Sequence, residues 1–251
     1  MKQKNSISRA VMILEILGKR KMGFSELHRI LFIPKATLHR ILKILVDTGM
    51  VRYIKEERKY YLGYKILSLA SEILNNLPLR EIANSYMKQL CEKTKETVEL
   101  AIPDGKAILY IDKRESPESI RLFAQIGSRY ETIHASAPGK VILAFSEDKE
   151  VLEKIPLKKI TDYTITDISE LRREIEKIRK RGWAFDNQEA RVGVRRIAAP
   201  IFDFKGNLAG IIGIAGPSFR IKKEKIKKFG ELVKNVAESI SKELGYTKKG
   251  G

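Results

Sequence analysis

"IPKATLHRILKILVDTG", residues 33 to 49, carries a cation or a histidine on nearly every turn and leucine or isoleucine on nearly every turn as well. On a helical wheel at about 100° per residue, Lys35, Ala36, His39, Arg40, Lys43 and Asp47 share one arc of roughly 140°, and Leu38, Ile41, Leu42 and Leu45 fill the opposite side. Pro34 suits a first helical turn and Gly49 a helix stop. The apolar arc must dock on something. Whether the cationic arc reads a partner or only solvates the helix depends on what flanks it.

Ahead of it, "SISRAVMILEILGKR" (residues 6 to 20) spaces Ile7, Ala10, Val11, Leu14 and Leu17 as one helical face, with Ser6 available as N-cap. After a break at Met22 and Gly23, "FSELHRILF" offers Ser25 as a cap and Leu27, Ile30 and Leu31 as a short apolar face. Behind it, "MVRYIKEERKYYLG" reads as a hairpin, with Val51 and Tyr53 alternating, "KEER" turning and residues 60 to 62 returning. Three closely linked helices followed by a basic hairpin form a winged helix-turn-helix. There the N-terminal part of the third helix enters the major groove, where Arg and Lys pair with guanine edges. Lys35, Ala36, Thr37, His39, Arg40 and Lys43 are the candidate readers. In the wing, Arg52, Lys55, Arg58 and Lys59 are either phosphate contacts or solvated turn residues. Arg9 is a structural or phosphate-facing residue of the first helix.

The charge distribution agrees. Residues 1 to 75 hold 15 Lys and Arg against 6 Asp and Glu, while the whole chain of 251 residues carries a net +18. The front is the more basic per residue, as a polyanion-binding unit requires. The single cysteine, Cys91, excludes a disulfide framework and a cysteine-based zinc cluster. The N-terminal stretch lacks the apolar block of an export signal and no run is long enough to span a bilayer, so the expectation is a cytoplasmic protein with no membrane partner.

The remainder begins with a helical segment, residues 63 to 75, whose stripe of Ile66, Leu69, Ala70 and Ile73 packs on its own domains or on a second chain. "NNLPLRE" then interrupts the pattern. "TVELAIPDGKAILYIDKR" is a hairpin about Asp104 and Gly105, "SIRLFAQ" a further strand, and "VRRIAAPIFDFKGNLAGIIGIAG" a second hairpin about residues 205 to 207. Helices are expected at 80 to 94, 137 to 146, 169 to 181 and 222 to 244. That alternation describes an antiparallel-rich α+β domain. No nucleophile elbow, P-loop, dinucleotide fingerprint or helical zinc motif occurs. Asp186 and Glu189 form either an acid/base pair or, more ordinarily, solvated or salt-bridged carboxylates. The reading is of a protein that is not an enzyme, with no catalytic residues, no metal and no cofactor.

"SISRAVMILEIL", "ATLHRILKILVDTGMV", "YYLGYKILSLA", "ETIHASAPGKVILA" and "RKRGWAFDNQEARVGVRRIAAPIFDFKGNLAGIIGIAGP", the last holding Gly182, Asp186, Glu189, Gly193 and Val194 at fixed spacing, together resemble the IclR-type bacterial and archaeal transcription regulators over nearly the whole chain. The resemblance implies a winged helix-turn-helix DNA-binding domain at 1–62, a helical linker at 63–77, a GAF-like effector-binding and oligomerisation domain at 78–246 and a flexible tail at 247–251. It also implies a homodimer or dimer of dimers. A single winged helix covers too little DNA for tight specific binding, which favours pairing independently. By the same resemblance a small-molecule effector pocket is bordered by residues 125 to 140 and 186 to 198. Gly127 and Ser128 would supply donors there, His134 and Ala135 would lie close by, and Asp186 and Glu189 would accept. His134 serves equally well as a hydrogen-bonded structural residue. One position departs from the family pattern: Arg196 stands where many members have cysteine. A cation facing the pocket favours an organic acid, whereas pairing with Asp186 or Glu189 leaves the site uncharged.

The expectation is therefore a sequence-specific repressor that binds double-stranded operator DNA under the control of a small metabolite. The alternative is a metabolite-responsive module whose winged helix contacts another protein. The lysines at 222 to 228 are read as a solvated helix face.

Overall fold

The computed structural model describes residues 5–122, 125–146, 152 and 155–247. The chain divides into two compact units, Met1–Asn76 and Leu77–Gly251.

The first unit contains α1 (Ser6–Lys19), α2 (Phe24–Leu31), α3 (Lys35–Asp47), β1 (Val51–Ile54), β2 (Lys59–Leu62) and α4 (Tyr64–Asn75). Leu38, Ile41, Leu42 and Leu45 are all buried and join Ile13, Leu17, Leu27 and Val51 in one core. Each such side chain contributes about 1.5–3 kcal/mol relative to an exposed one, so the apolar arc of α3 is what fixes the helix's orientation. Strands β1 and β2 pair antiparallel from Val51↔Leu62 to Ile54↔Lys59, and Met22 bridges to Tyr60 to tie the wing to the α1–α2 turn. At Gly63 the chain passes so close to the α3–β1 turn that a Cβ would sit 1.9 Å from the Gly49 carbonyl oxygen. Only glycine fits there.

Several local expectations are corrected. Asn5, not Ser6, caps α1, its Oδ1 accepting from the Ser8 N–H at 2.9 Å. Gly23, not Ser25, is the N-cap of α2, where the Glu26 carboxylate accepts from the Gly23 N–H at 2.7 Å. A carboxylate three residues into a helix can satisfy the first orphan N–H groups as well as a serine can. Ile7 and Val11 are exposed, because the core of this small unit takes the Ile13 and Leu17 side of α1. Ile30 is likewise exposed, leaving Leu27 as the buried residue of α2. Helix α4 buries none of its side chains within the chain.

The second unit contains α5 (Pro78–Thr94), β3 (Thr97–Asp104), β4 (Ala107–Arg114), β5 (Arg129–Tyr130), α6 (Ala137–Phe145), α7 (Ile168–Arg181), β6 (Ala184–Asn187), β7 (Val194–Phe202), β8 (Leu208–Pro217) and α8 (Lys223–Glu243). Its six strands form one antiparallel sheet in the order β5-β4-β3-β8-β7-β6. The fold is α+β. Adjacent residues of β8 show how the layers divide: Ile211 packs in the core beneath α6 and α7, whereas a Cβ on Gly210 would meet Leu79 of α5 at 2.5 Å. Successive strand residues point to opposite faces, so α6 and α7 cover one face while α5 and α8 cover the other.

Both expected hairpins and the four expected helices of this unit stand where the periodicity puts them, within a residue or two. Of the strand expected at 119 to 125, residues 119–122 are bend and irregular chain and Gln125 is irregular, while Phe123 and Ala124 lie outside the described residues. Of the expected tail, all but Thr247 lies outside them too. No described helix is long and apolar enough to cross a membrane.

Candidate functional site

In the first unit the candidate readers sit where α3 turns away from its core. Lys35, Ala36, His39, Arg40 and Lys43 are exposed, while Thr37 is half-buried at the boundary of the two arcs. No ion pair forms to Lys35, Arg40 or Lys43 among the described residues. Their charge therefore remains available to a polyanion. The wing is more self-engaged. The Arg52 guanidinium donates to the Tyr64 hydroxyl at 3.0 Å and lies 4.0 Å from that ring's centroid, so its position is fixed by stacking. Lys59 is half-buried, and Lys55 and Arg58 are exposed at the hairpin turn. Glu57, in the same turn, pairs with Lys21 at 2.6 Å.

In the second unit a cavity of about 180 Å³ is lined by Glu99, Tyr110, Ser128, Tyr130, Arg191 and Arg196, together with Ile108, Thr132, Ser136 and Ala190. Strands β3, β4 and β7 supply its floor, and Ser136 also caps α6, accepting from the Gly139 N–H at 3.2 Å. A larger cleft of about 510 Å³ lies between Phe145, Phe202 and Tyr246 and the amines of Lys180, Lys234 and Lys242. Its cations are mostly solvated. The buried polar groups gather at the smaller cavity.

Arg196 sits between two acids. Its Nε is 3.6 Å from Glu99 Oε2 and an Nη is 3.6 Å from Asp186 Oδ2. Arg196 Nε and Asp186 Oδ2 are buried without a hydrogen bond. Burial pushes the carboxyls of Glu99 and Asp186 above their ordinary range, against the pull of the Arg196 charge. Burial also pushes the Tyr110 phenol up, and the Glu99 carboxylate adds to it. Beside this trio lies a second pair, Lys140 Nζ to Glu189 Oε1 at 2.5 Å, in which Lys140 is 1% exposed. Lys140 also donates to the Phe185 carbonyl at 3.2 Å.

Of the seven pocket residues expected by resemblance, Ser128 and Arg196 line the cavity. Gly127, with φ +84°, shapes the adjoining turn and its N–H donates to the Tyr110 carbonyl at 2.8 Å. Asp186 stands behind Arg196, its Oδ1 accepting from the Glu189 N–H at 2.7 Å. His134, Ala135 and Glu189 are buried off the lining. The His134 ring shares a hydrogen bond at 3.0 Å with the Lys158 carbonyl, and burial lowers its basicity. Among the described residues no group of three or more His, Cys, Asp or Glu is placed to hold a metal ion.

Sequence reasoning missed Glu99 and Tyr110; Tyr130, Thr132, Ser136 and Arg191 lie inside the bordering segments 125 to 140 and 186 to 198 but were not singled out. For Glu99 and for Lys140 a signal existed: each is a lone charge inside an apolar run, "TVELAI" and "APGKVILA". A charge in such a position needs a partner.

Comparison with known proteins covers both units. Residues 71–242 match the family model for the bacterial transcriptional regulator IclR C-terminal region, and residues 6–54 match the IclR helix-turn-helix domain. The HTH-type transcriptional regulator KdgR of Escherichia coli K12 is 33% identical, over 98% of this chain and 95% of its own length. The HTH-type transcriptional repressor AllR of the same organism is 29% identical, over 96% and 90%. Among solved structures, the Thermotoga maritima IclR shares 34% identity at a TM-score of 0.77, covering 96% of this chain and 99% of that one.

Proposed function

The chain belongs to the IclR family of transcriptional regulators, and from that premise we propose that it is a sequence-specific repressor acting as a homodimer or dimer of dimers. Residues 1–62 bind double-stranded operator DNA, 63–77 link, and 78–246 bind a small organic acid that changes DNA affinity. The observation that carries the DNA reading is the division of α3: Leu38, Ile41, Leu42 and Leu45 of the inner arc are buried, and Lys35, His39, Arg40 and Lys43 stand exposed on the outer one, without an acidic partner among the described residues. Repression is supported by the relative AllR, an HTH-type transcriptional repressor. Pairing is supported by α4, which leaves Leu67, Leu69 and Ile73 in solvent.

The effector reading rests on the 180 Å³ cavity, which the hydroxyl-bearing residues Tyr110, Ser128, Tyr130, Thr132 and Ser136 line together with Arg196. Glu99 competes for that guanidinium. An acid binding there takes Arg196 as Glu99 accepts a proton, and it regulates only through unequal affinity for the DNA-competent and DNA-incompetent states.

The test is selection of duplexes from a random pool with the full-length protein, followed by footprinting of the enriched site with and without a panel of small organic acids. A protected, two-fold symmetric site that is lost or strengthened with one acid supports the proposal. A folded dimer that enriches no sequence would move the winged helix to a protein partner.

A further inference from the structure

Phe32 lies in the turn between α2 and α3 in a left-handed conformation, φ 51° and ψ 34°, where its N–H donates to the His28 carbonyl at 3.0 Å and closes α2. A side chain with a Cβ is strained there, and glycine or asparagine is the residue that such a turn favours. Strain of this kind persists when the side chain contributes something else. In the chain itself Phe32 contributes little packing: it is 88% exposed, the highest value among the large hydrophobic residues described. It borders a surface groove of about 440 Å³ whose other walls are His28, Arg29, Ile33 and Pro34.

Its place says what would cover it. Phe32 is three residues ahead of Lys35, the first residue of α3, and three behind Arg29. Arg29 and Lys35 are both exposed and without an ion pair among the described residues. Phe32 is thus flanked in sequence by two exposed cations, shares its groove with Arg29, and precedes by three residues the helix that carries the cationic arc. A partner that is polyanionic yet offers apolar patches between its charges fits this setting, and the edge of a duplex groove is such a surface, with deoxyribose and thymine methyls between phosphates. Resting on the DNA reading of α3, we propose that Phe32 is a further DNA-contacting residue, its ring lying on that deoxyribose and methyl surface between a phosphate held by Arg29 and the groove edge reached by Lys35.

The proposal assigns opposite signs to two measurements on one variant. Phe32→Gly in the full-length protein relieves the turn, so its Tm rises by about 2–4 °C. On an operator obtained by selection with the wild-type protein, its Kd weakens about fivefold to tenfold. The slope of log Kd against log salt stays that of wild type, because no phosphate contact is lost. Arg29→Ala serves as the contrast, reducing that slope by about one. Phe32→Asn, which also tolerates the left-handed turn, repeats the affinity loss and guards against an effect of glycine flexibility alone.

Unchanged or tighter operator binding by both Phe32 variants would overturn the proposal and leave the ring for a protein partner. A wild-type protein that selects no duplex would instead sink the DNA reading on which the proposal stands.

Discussion

Replacing Arg196 with methionine is a direct test of the charge arrangement at the cavity. The guanidinium faces Glu99 and Asp186 at 3.6 Å each. At an effective dielectric of about 20, each attraction is worth about 4–5 kcal/mol before desolvation is charged against it. Methionine leaves two carboxyls buried side by side with no cation between them, and breaking a buried pair in this way costs about 3–5 kcal/mol. Trp183, the chain's single tryptophan, is buried in the same unit. Its fluorescence in a urea titration therefore reports the unfolding of that unit, and the variant is expected to lose about 3–5 kcal/mol at pH 7.5. The loss must shrink on acidification. Glu99 and Asp186 already have raised carboxyl pKa values from burial, and removing Arg196 raises them further. Between the unfolded carboxyl range and these raised values the folded state holds more protons than the unfolded one, so stability falls as pH rises through that window and is recovered below it. At pH 5 the deficit of Arg196→Met is smaller than at pH 7.5, and adding Glu99→Gln restores about 2 kcal/mol at the higher pH. A deficit below about 1 kcal/mol at pH 7.5, or one that deepens at pH 5, would refute the reasoning.

Three other outcomes are expected. Arg40→Ala weakens operator binding by about 1–3 kcal/mol if the guanidinium makes a bidentate base contact, as measured by titration against operator and random DNA; an equal loss on both assigns Arg40 to phosphate. Leu67→Asp with Ile73→Asp places charges on the exposed stripe of α4, and light scattering is expected to show dissociation of the oligomer while the circular dichroism spectrum keeps its helical signal; an unchanged mass refutes α4 as the pairing surface. Calorimetry of an organic acid that shifts the Tm, run in two buffers of different ionisation enthalpy, is expected to show proton uptake above pH 7 that Glu99→Gln abolishes. Uptake persisting in Glu99→Gln would remove Glu99 from the exchange.

Much of the first unit was legible because one helix in a small three-helix core has one inward side, and in α3 the apolar arc and the buried residues coincide. The same logic failed on α1, where Ile7 and Val11 extend the apolar stripe past what this core can cover. Periodicity records that a face is apolar, not which chain covers it. In the second unit the two long hairpins announced themselves through turn residues and alternation. The two-residue strand β5 is too short to carry a period, and Ile120 and Leu122 imitate an alternation that the fold leaves as irregular chain. The cavity was the least legible part. Glu99 and Arg196 lie on strands separated by β8 and come near each other only through two successive pairings, Glu99↔Gly213 and Arg196↔Ala215, two positions apart on that strand. Nothing local in either segment records that neighbourhood.

Helix α4 has a further consequence. Twelve residues with no side chain buried within their own chain form a helix that is marginal alone. If a second copy supplies the missing half of its packing, the order of this segment becomes a function of protein concentration, and occupancy of a symmetric operator then climbs with the square of the monomer level below the dimer's dissociation constant. The promoter would register how much regulator is present as sharply as it registers the effector, and a modest change in expression of the regulator would act as a signal in its own right.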